Sequence, residues 1–315
     1  MAYVLDMTPD TSPPPQPAPI LLFVYRRPRH TRKTLEALRH NHGAARHDLM
    51  VFSDAPAGEK DSADVTATRA VCRNIRGFRS VRVIERDRHL GLAESVISGV
   101  TRGLEEFGRA IVLEDDLVTG PGFLAWMDAA LDAYREDARI FSVCGCALPG
   151  FRHLTPQDYP HEVWLSRRHL SHGWGTWKRA WDAVEWDVPD FERFRNDPAA
   201  QARFDLGGAD LSEALIRQQT QNLDLWAVRF TYAHFKHNAW SLIPMKSHVK
   251  NIGYDGSGRN CLPNPLRWFD RVEADGHFHP FPKDIQPDER LLAACRKVIR
   301  RRKRLEDLAR FFRPA

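Results

Sequence analysis

The most constraining feature of this sequence is the regular alternation of short apolar runs with amphipathic stretches between residues 20 and 113. Each run has the length of a buried strand, and the stretches between the runs repeat apolar residues at helical spacing. Strands and helices that alternate in this way form a parallel sheet covered by helices on both faces. We therefore predict an α/β fold with a Rossmann-like first half. The four predicted strands are residues 20–25, 49–52, 81–84 and 110–113.

The alternation fades after residue 120, which predicts a different second half of the same domain. Helical patterns cover 123–134, 210–221 and 225–237, and strands are predicted at 140–143 and 240–243. Between them, residues 150–200 are loop-rich. From these changes we predict four segments. They are a flexible, Pro-rich extension (1–18), a nucleotide-binding half (19–119), a loop-rich second half (120–287) and a basic C-terminal helical tail (288–315).

Composition excludes several classes of protein. The longest uninterrupted apolar stretch is residues 20–25, whereas a helix needs about 18–20 apolar residues to cross a bilayer. Residues 1–19 lack the basic start and apolar run of a secretory signal, so we expect a cytoplasmic protein. The cysteines form no CxxC pair, which argues against a zinc site and a disulfide framework and favours reduced, buried thiols. They are Cys72, Cys144, Cys146, Cys261 and Cys295.

The net charge of +5 is concentrated in the tail, because residues 288–315 contain ten Lys or Arg and only four Asp or Glu. Apolar residues interrupt the basic run at helical spacing. This pattern is typical of a helix that lies on an anionic membrane surface, and equally of a solvated helix that packs its apolar side on the body. Nucleic-acid binding is disfavoured because no recognition motif accompanies the charge.

Charged side chains follow the predicted strands, at the edge where open parallel sheets bind their ligands. The first strand leads into Tyr25-Arg26-Arg27-Pro28 and not into GxGxxG, which argues against a dehydrogenase. The same absence of glycine disfavours a sugar-phosphate nucleotidyltransferase. In chain order, the four strand ends carry Arg26, Asp54, Arg86 and the triplet Glu114-Asp115-Asp116.

The triplet Glu114-Asp115-Asp116 places three carboxylates at the end of a buried strand, where they repel one another. Mg²⁺ or Mn²⁺ relieves such repulsion by binding one or two carboxylates and completing its shell with phosphate oxygens and water. A site of that kind holds a nucleoside diphosphate. The alternative is that Asp115 and Asp116 begin a loop and cap a helix near Pro121.

Several motifs in this order resemble the glycosyltransferase-A fold, and most closely the inverting family of mannoside N-acetylglucosaminyltransferases and their bacterial relatives. The triplet has the acidic-x-acidic form of a DXD-like motif. Together the motifs span about residues 20–260. They are Phe23-x-x-Arg26-x-Pro28-x-x-Thr31, Ser53-Asp54, Gly91-Leu92-Ala93, Ile111-Val112-Leu113-Glu114-Asp115-Asp116-Leu117, His172-Gly173-Trp174-Gly175-Thr176-Trp177 and Asn251-Ile252-Gly253-Tyr254.

The resemblance implies a role for each matching residue of the donor site. Asp116 would bind the metal, Asp115 the ribose and Glu114 the donor sugar. Asp54 would accept a hydrogen bond from the ring N–H of the base. Arg86 would lie near the base or phosphates, unless it is a surface arginine paired with Asp87. Arg26 and Gly91 belong to the matching nucleotide-sugar motifs.

Asp224 is the candidate catalytic base, because the family's base stands just before a tryptophan at a helix start, as in Asp224-Leu225-Trp226. The alternative is a plain N-cap of the helix over 225–237. Asp182 and Asp187 are reserves. Trp174 is predicted to stack on a sugar, although its spacing also fits the packed face of a helix.

The glycine-rich segment 255–258 suits either a mobile lid or a surface turn. Relatives tend to have a histidine shortly after this loop, whereas Asn260 stands here. A second, histidine contact to the metal is therefore in doubt.

These features predict a metal-dependent, inverting hexosyl- or N-acetylhexosaminyltransferase. It would use Mn²⁺ or Mg²⁺ and a nucleotide-sugar donor, UDP-sugar first, for polysaccharide or natural-product biosynthesis. The acceptor would be a glycan, a lipid-linked sugar or a small molecule, and the basic tail would contact the inner membrane face. The alternatives are a non-catalytic glycan- or partner-binding module on the same fold and the sugar-phosphate nucleotidyltransferase.

Overall fold

The computed structural model describes residues 16–221, 223–257, 269 and 271–311, and of residues 305–311 it describes only the helical backbone. Within these residues the strands and helices alternate as predicted through residue 114. The strands are β1 (Ile20–Val24), β2 (Asp48–Ser53), β3 (Ser80–Glu85), β4 (Arg109–Glu114), β5 (Leu117–Thr119), β6 (Ile140–Cys144), β7 (Val163–Ser166), β8 (Trp174–Trp177), β9 (Trp240–Pro244) and β10 (Val249–Asn251). The helices are α1 (Pro28–Arg39), α2 (Glu59–Arg73), α3 (Gly91–Phe107), α4 (Phe123–Ala133), α5 (Lys178–Trp181), α6 (Phe191–Arg195), α7 (Pro198–Phe204), α8 (Leu211–Thr220), α9 (Ala227–Lys236) and α10 (Glu289–Phe311).

The main sheet has the strand order β3-β2-β1-β4-β8-β6-β9-β7. The first four strands are parallel, β8 runs antiparallel to both of its neighbours, β9 is parallel to β6, and β7 is antiparallel to β9. The chain builds outward from β1 to β3 and then returns to place β4 on the other side of β1. The order therefore reverses between β1 and β4, and this switch point is where ligands of such sheets bind.

The sheet is buried on both faces because its central strands are mostly apolar, and β1 is apolar at every position. Along β1, Ile20, Leu22 and Val24 join a core with residues of α1, α2, α4 and α10. Leu21 and Phe23 point the other way and join a core with α3 and α9. The predicted α/β fold, with a large, mainly parallel sheet between helices, is confirmed.

The loop-rich region contains two strands that the sequence pattern did not predict. β8, the segment Trp174–Trp177, is inserted between β4 and β6 and pairs with both. The alternative of one helix through positions 174, 177 and 181 is therefore wrong. β7 forms the outer edge beside β9. These strands were missed because they are four residues each, too short for their periodicity to stand out.

The described cysteines confirm the prediction of reduced, buried thiols. Cys72, Cys144, Cys146 and Cys295 are all free and buried. Cys261 lies outside the described residues.

The termini of the described chain pack on the body. Residues 1–15 of the predicted extension lie outside the described residues, but Ala18 is buried and its N–H donates to Asp128 Oδ1 at 2.9 Å. The basic tail begins as α10, whose apolar side joins the main core through Leu291, Leu292, Cys295, Val298 and Ile299.

The opposite side of α10 is basic and exposed at Lys297, Arg300, Arg301 and Arg304. Contact of this side with an anionic membrane stays a prediction. None of the helices in the part of the chain that the structure describes has both the length and the apolar character that crossing a bilayer requires.

Candidate functional site

The switch point between β1 and β4 brings together one arginine and two aspartates. Arg27 lies between β1 and α1, directly before the first residue of α1, while Asp115 and Asp116 directly follow β4. The Arg27 guanidinium donates hydrogen bonds to Asp115 and, at 3.0 Å, to Asp116 Oδ2. The three side chains are largely buried, Arg27 being 18% exposed and the aspartates 5% and 6%. The site thus holds an internal cation between two carboxylates.

The local sequence explains why Arg27, and not Arg26, faces the switch point. Pro28 begins α1, where its fixed φ suits the first helical position. Arg26 turns instead to Asp61 at the start of α2 and is 42% exposed. Arg26, the arginine that the sequence analysis selected, therefore pairs with Asp61 and not with Asp115 or Asp116, and its contact with a nucleotide sugar stays a prediction. Thr31 of the same motif lies in the first turn of α1, and its Oγ1 donates a hydrogen bond to Arg27 O at 2.9 Å.

The carboxylates of the triplet lie in an environment that opposes full ionisation. Burial, reinforced by the charges of Asp116 and Asp115, raises the pKa of Glu114 to about 8. Burial also raises the pKa of Asp115, against the opposing attraction of Arg27. For Arg27, burial alone would lower the pKa, but the charges of Asp115 and Asp116 raise it above its usual value. A further cation near the triplet would therefore be stabilised.

The motif Asn251-Ile252-Gly253 closes over Asp116. β10 pairs with β5 so that Asn251 lies opposite Leu117, and the N–H of Ile252 donates to Asp116 O at 2.8 Å. The backbone of Gly253 then passes so close that a Cβ there would lie 2.1 Å from Asp116 Oδ2. Glycine is required at 253 by this approach, which a sequence pattern alone does not reveal.

The donor set fits a hard divalent cation held by few protein ligands. It consists of carboxylate oxygens, which Mg²⁺ and Mn²⁺ prefer. Within the described residues, Asp116 Oδ2 accepts from Arg27, while Oδ1 of Asp116 accepts no hydrogen bond. No cluster of three or more His, Cys, Asp or Glu in that part of the chain could hold a metal by itself. A metal bound to Asp116 would take its other ligands from phosphate and water.

The alternative that Asp115 and Asp116 cap the following helix is wrong. α4 begins at Phe123 after Gly122, and no side chain caps it. The carboxylates are instead held by Arg27.

Two further predicted residues, Asp54 and Asp224, meet at the start of α3. Asp54 accepts from the N–H groups of Leu90 and Gly91 at 2.9 and 3.0 Å, and Asp224 accepts from those of Leu92 and Ala93 at 2.7 and 2.6 Å. Four consecutive N–H groups, which a helix start leaves without partners, are satisfied by two carboxylates.

Asp224 therefore caps a helix from a distant part of the chain. The alternative that it caps the helix at 225–237 is wrong, because α9 begins at Ala227 and no side chain caps it. Gly91 is needed at this contact on two counts: its φ is +79°, and a Cβ would lie 2.7 Å from Asp224 Oδ2. Asn222, in the same motif, lies outside the described residues.

Asp54 is 4% exposed and has most of its hydrogen-bonding capacity engaged. Besides the α3 bonds, it accepts from the N–H of Ala55 at 2.9 Å and lies 2.8 Å from His89 Nδ1. The predicted bond to a nucleotide base would have to share these oxygens.

Arg86 directly follows β3, and its N–H donates to Ser53 O at the end of β2. It does not form the alternative surface ion pair with Asp87. Its guanidinium donates to Ser98 Oγ at 2.9 Å and lies over the ring of Phe52 at 5.4 Å. Its Nε is buried and has no partner among the described residues. Arg86 thus retains a donor that a ligand could use.

Trp174 is not available to stack on a sugar, and this prediction is corrected. Its side chain is 1% exposed, and its ring stacks on Trp226 at 4.9 Å and on Trp181 at 5.8 Å. These three tryptophans belong to the core under α3 and α9.

His172 lies near the site, although the sequence analysis assigned it no role. Its Nδ1 is buried without a partner among the described residues, and its ring contacts Phe269 at 4.6 Å between centroids. Burial lowers the pKa of His172 to about 4 despite the attraction of Asp116. The imidazole is therefore neutral at pH 7.

The predicted lid is only partly described. Asp255 is exposed and lies 3.0 Å from His30 Nε2 of α1. Gly258, Arg259 and Asn260 lie outside the described residues, so the choice between a lid and a surface turn stays open.

No protein-family model matches the sequence. No curated protein matches it either. Among solved structures, it is similar to the mannosyltransferase PcManGT from Pyrobaculum calidifontis, in complex with GDP-Man and Mn²⁺ (11% identity, TM-score 0.35, 56% of this chain and 48% of that chain). This chain thus spans about half the length of that protein.

Two other glycosyltransferase structures are similar to a comparable degree. One is the galactosyltransferase LgtC with donor and acceptor sugar analogues (12% identity, TM-score 0.37, 70% of this chain and 72% of that chain). The other is mouse xyloside xylosyltransferase 1 (12% identity, TM-score 0.35, 70% of this chain and 82% of that chain). Similarity at this level does not identify a function.

We expect Arg27→Met to destabilise the protein by about 3 kcal/mol at pH 7, because it leaves Asp115 and Asp116 buried without their counter-charge. Urea unfolding followed by circular dichroism measures the change. The double variant Arg27→Met/Asp115→Asn should recover much of the loss. Arg88→Met is the matched control, because both members of the Arg88–Glu94 ion pair are exposed (72% and 51%), which predicts a loss below about 1 kcal/mol. Equal losses for the two arginines would contradict the assignment.

Proposed function

We propose that this protein is a glycosyltransferase that holds a nucleotide-sugar donor at the switch point between β1 and β4. The observation that carries the proposal is the buried group of Arg27, Asp115 and Asp116 at that point, covered by the backbone of Gly253. A site that combines a fixed cation with closely spaced carboxylates suits a diphosphate accompanied by a metal ion.

Each residue of the triplet binds a different part of the donor complex in this proposal. Asp116 holds Mn²⁺ or Mg²⁺, which when bound neutralises charge on the diphosphate leaving group. Asp115 contacts the ribose and Glu114 the donor sugar. Glu114 ends β4 directly beside the two aspartates, so its carboxyl group can hydrogen-bond to a hydroxyl group of a sugar held next to them.

Arg27 acts as a fixed positive charge beside the diphosphate. Its Nη1 is buried and has no hydrogen-bond partner among the described residues. That nitrogen can donate to a phosphate oxygen while Nη2 keeps its bonds to the aspartates. Because Arg27 is already held by Asp115 and Asp116, no side-chain entropy is lost when the donor binds.

Asp224 is the proposed general base of an inverting transfer. In such a reaction, a carboxylate takes the proton of the acceptor hydroxyl while the hydroxyl oxygen attacks the anomeric carbon and the diphosphate leaves. The hydrogen bonds from the N–H groups of Leu92 and Ala93 fix the orientation of the Asp224 carboxylate. Each carboxylate oxygen retains a second lone pair for a proton.

The finer parts of the proposal concern substrates and place of action. We propose UDP-hexose or UDP-N-acetylhexosamine as the donor, with Asp54 and Arg86 near the base. The acceptor is a hydroxyl of a glycan, a lipid-linked sugar or a small molecule, in polysaccharide or natural-product biosynthesis. The reaction takes place in the cytoplasm, at the membrane if the basic side of α10 binds there.

The test is thermal unfolding with UDP, GDP, CDP and dTDP, each with Mn²⁺ and again with a chelator. A ligand at about a hundred times its Kd adds roughly 2.7 kcal/mol of stability. For a chain of this size, that is a rise of about 5 °C in Tm. We expect one nucleotide to raise Tm only with Mn²⁺. No shift with any of the four would contradict the proposal.

The second candidate is a non-catalytic binding module on the same fold. It is favoured by the hydrogen bonds that already engage Asp54 and Asp224, which in a module would serve only to hold α3. Turnover of a nucleotide sugar, including slow hydrolysis, separates the two. Nucleotide binding without any turnover would favour the module.

A further inference from the structure

A cavity of about 650 Å³ lies away from the switch point, between β7, α6, α7 and the end of α9. Its volume is in the range of small-molecule sites. Arg167, just after β7, and Asn238, just before β9, form one wall, and residues of α6 and α7 form the other. None of the predicted donor-site residues lines it.

The strand directions place this cavity at the opposite end of the sheet from the switch point. β9 is parallel to β6, β6 is antiparallel to β8, and β8 is antiparallel to β4. β9 therefore runs in the same direction as β4. Asn238 precedes β9 and lies at the amino end of the strands, whereas Asp115 and Asp116 follow β4 at the carboxyl end. One ligand of ordinary size cannot occupy both places.

The cavity has an excess of positive charge. Four cationic side chains and two acidic ones line it. Lys236 is paired, at 3.1 Å from Asp190 Oδ1, and Arg193 is 81% exposed and 3.4 Å from the same carboxylate. Arg167 and Arg203 form no ion pair within the described residues. Two guanidinium groups are thus available to an anion.

The position of Arg167 is fixed in advance of any ligand. Its guanidinium lies over the ring of Trp240 at 4.5 Å and contacts Asn238 Oδ1 at 3.4 Å. A stacked guanidinium keeps free N–H groups at its edge, and these suit the oxygens of a carboxylate or phosphate. Less side-chain entropy is therefore lost on binding.

The remaining lining is partly apolar and partly hydrogen-bonding. Leu206 is 42% exposed, which is unusual for a large apolar side chain in this protein, and Phe235 lies beside it in the lining. Asn238 and Asp197 supply oxygen acceptors for hydroxyl groups. An inorganic anion would leave the apolar side chains of the lining exposed to water. An apolar ligand would leave the two arginines without an ionic partner.

We propose that this cavity is a second binding site, for a saccharide that carries carboxylate or phosphate groups. The charged groups would bind Arg167 and Arg203, the hydroxyls Asn238 and Asp197, and the apolar face of the sugar ring Leu206. This cavity would bind the saccharide whether or not the switch point between β1 and β4 is catalytic.

The test is isothermal titration of the full chain with trigalacturonate, glucose 6-phosphate, maltotriose and inorganic phosphate. We expect at least one of the two charged saccharides to bind at least tenfold more tightly than maltotriose and inorganic phosphate. Which of the two binds distinguishes carboxylate from phosphate recognition. Saturating UDP with Mn²⁺ should not compete, since the two sites lie at opposite ends of the sheet.

The variants Arg203→Ala and Arg167→Gln should each weaken binding about tenfold, as expected for a lost charge-assisted hydrogen bond. Arg203 forms no ion pair within the described residues, so Arg203→Ala removes no structural contact of that kind. It therefore keeps the test valid if Arg167→Gln affects folding by removing the Arg167–Trp240 contact. Arg195→Ala is the matched control, because Arg195 lies on α6, pairs with Glu192 at 3.8 Å and does not line the cavity.

Three results would overturn the proposal: no binding of either charged saccharide, equal affinity in all variants, or inorganic phosphate binding as tightly as the sugars. Competition by UDP would also overturn it by placing the saccharide at the switch point.

Discussion

Asp116→Asn is expected to abolish sugar transfer and the Mn²⁺-dependent part of the nucleotide-induced rise in Tm. The substitution removes the carboxylate that we propose as the metal ligand but keeps its size, so Arg27 retains Asp115 as a partner. Metal ions contribute several kcal/mol to stabilisation of transition-state charge, which corresponds to a loss of about 10³-fold or more in kcat. Transfer assays with the nucleotide sugar chosen by the thermal experiment measure the loss.

The matched control for this variant is Asp158→Asn, which makes the same chemical change on an exposed side chain paired with Arg290. It should leave transfer and the Mn²⁺-dependent rise in Tm unchanged. Because Asp116→Asn also lowers the repulsion within the triplet, its Tm without ligand should stay close to that of the natural chain. Retained transfer in Asp116→Asn would remove the metal assignment, and a large drop in its Tm would point to a structural role.

Asp224→Asn is expected to lower kcat by about 10²- to 10⁴-fold, the usual contribution of a general base. The nucleotide-induced rise in Tm should remain, because Asp224 lies outside the group that holds the diphosphate. The variant also weakens a cap, since an asparagine offers one acceptor oxygen where Leu92 and Ala93 now have two. That loss is about 1 kcal/mol and must be separated from catalysis.

Asp54→Asn separates the loss of the cap from a loss of catalysis, because Asp54 accepts from the two preceding N–H groups at the start of α3, those of Leu90 and Gly91. Both variants should lose a similar amount of stability in urea. Asp54→Asn should raise KM for the donor and leave kcat nearly unchanged, whereas Asp224→Asn should change kcat. If kcat per folded molecule is the same in both, Asp224 is a capping residue and the base lies elsewhere.

The sequence determined the first half of this fold. The runs around Leu21, Val51, Val83 and Val112 are short and apolar, and amphipathic stretches separate them, so local periodicity was sufficient to predict four parallel strands and their helices. It also predicted that Asp115 and Asp116 follow the fourth strand, at the carboxyl edge where parallel sheets bind their ligands.

Only the tertiary structure decided which side chains meet. Arg27 contacts Asp115 across 88 positions, and Asp224 reaches the N–H of Leu92 across 132. No local pattern encodes such contacts, because they depend on strand order, on the insertion of β8 and on the approach of a loop backbone at Gly253.

The burial of Trp174 has the same origin. Its spacing fitted either a sugar-binding surface or the packed face of a helix, whereas in the structure Trp174 lies in β8 and stacks on Trp226 and Trp181. Periodicity is a property of neighbours in the chain and is readable from the sequence. Packing between distant segments is set by the whole fold, and in this protein it determines the site.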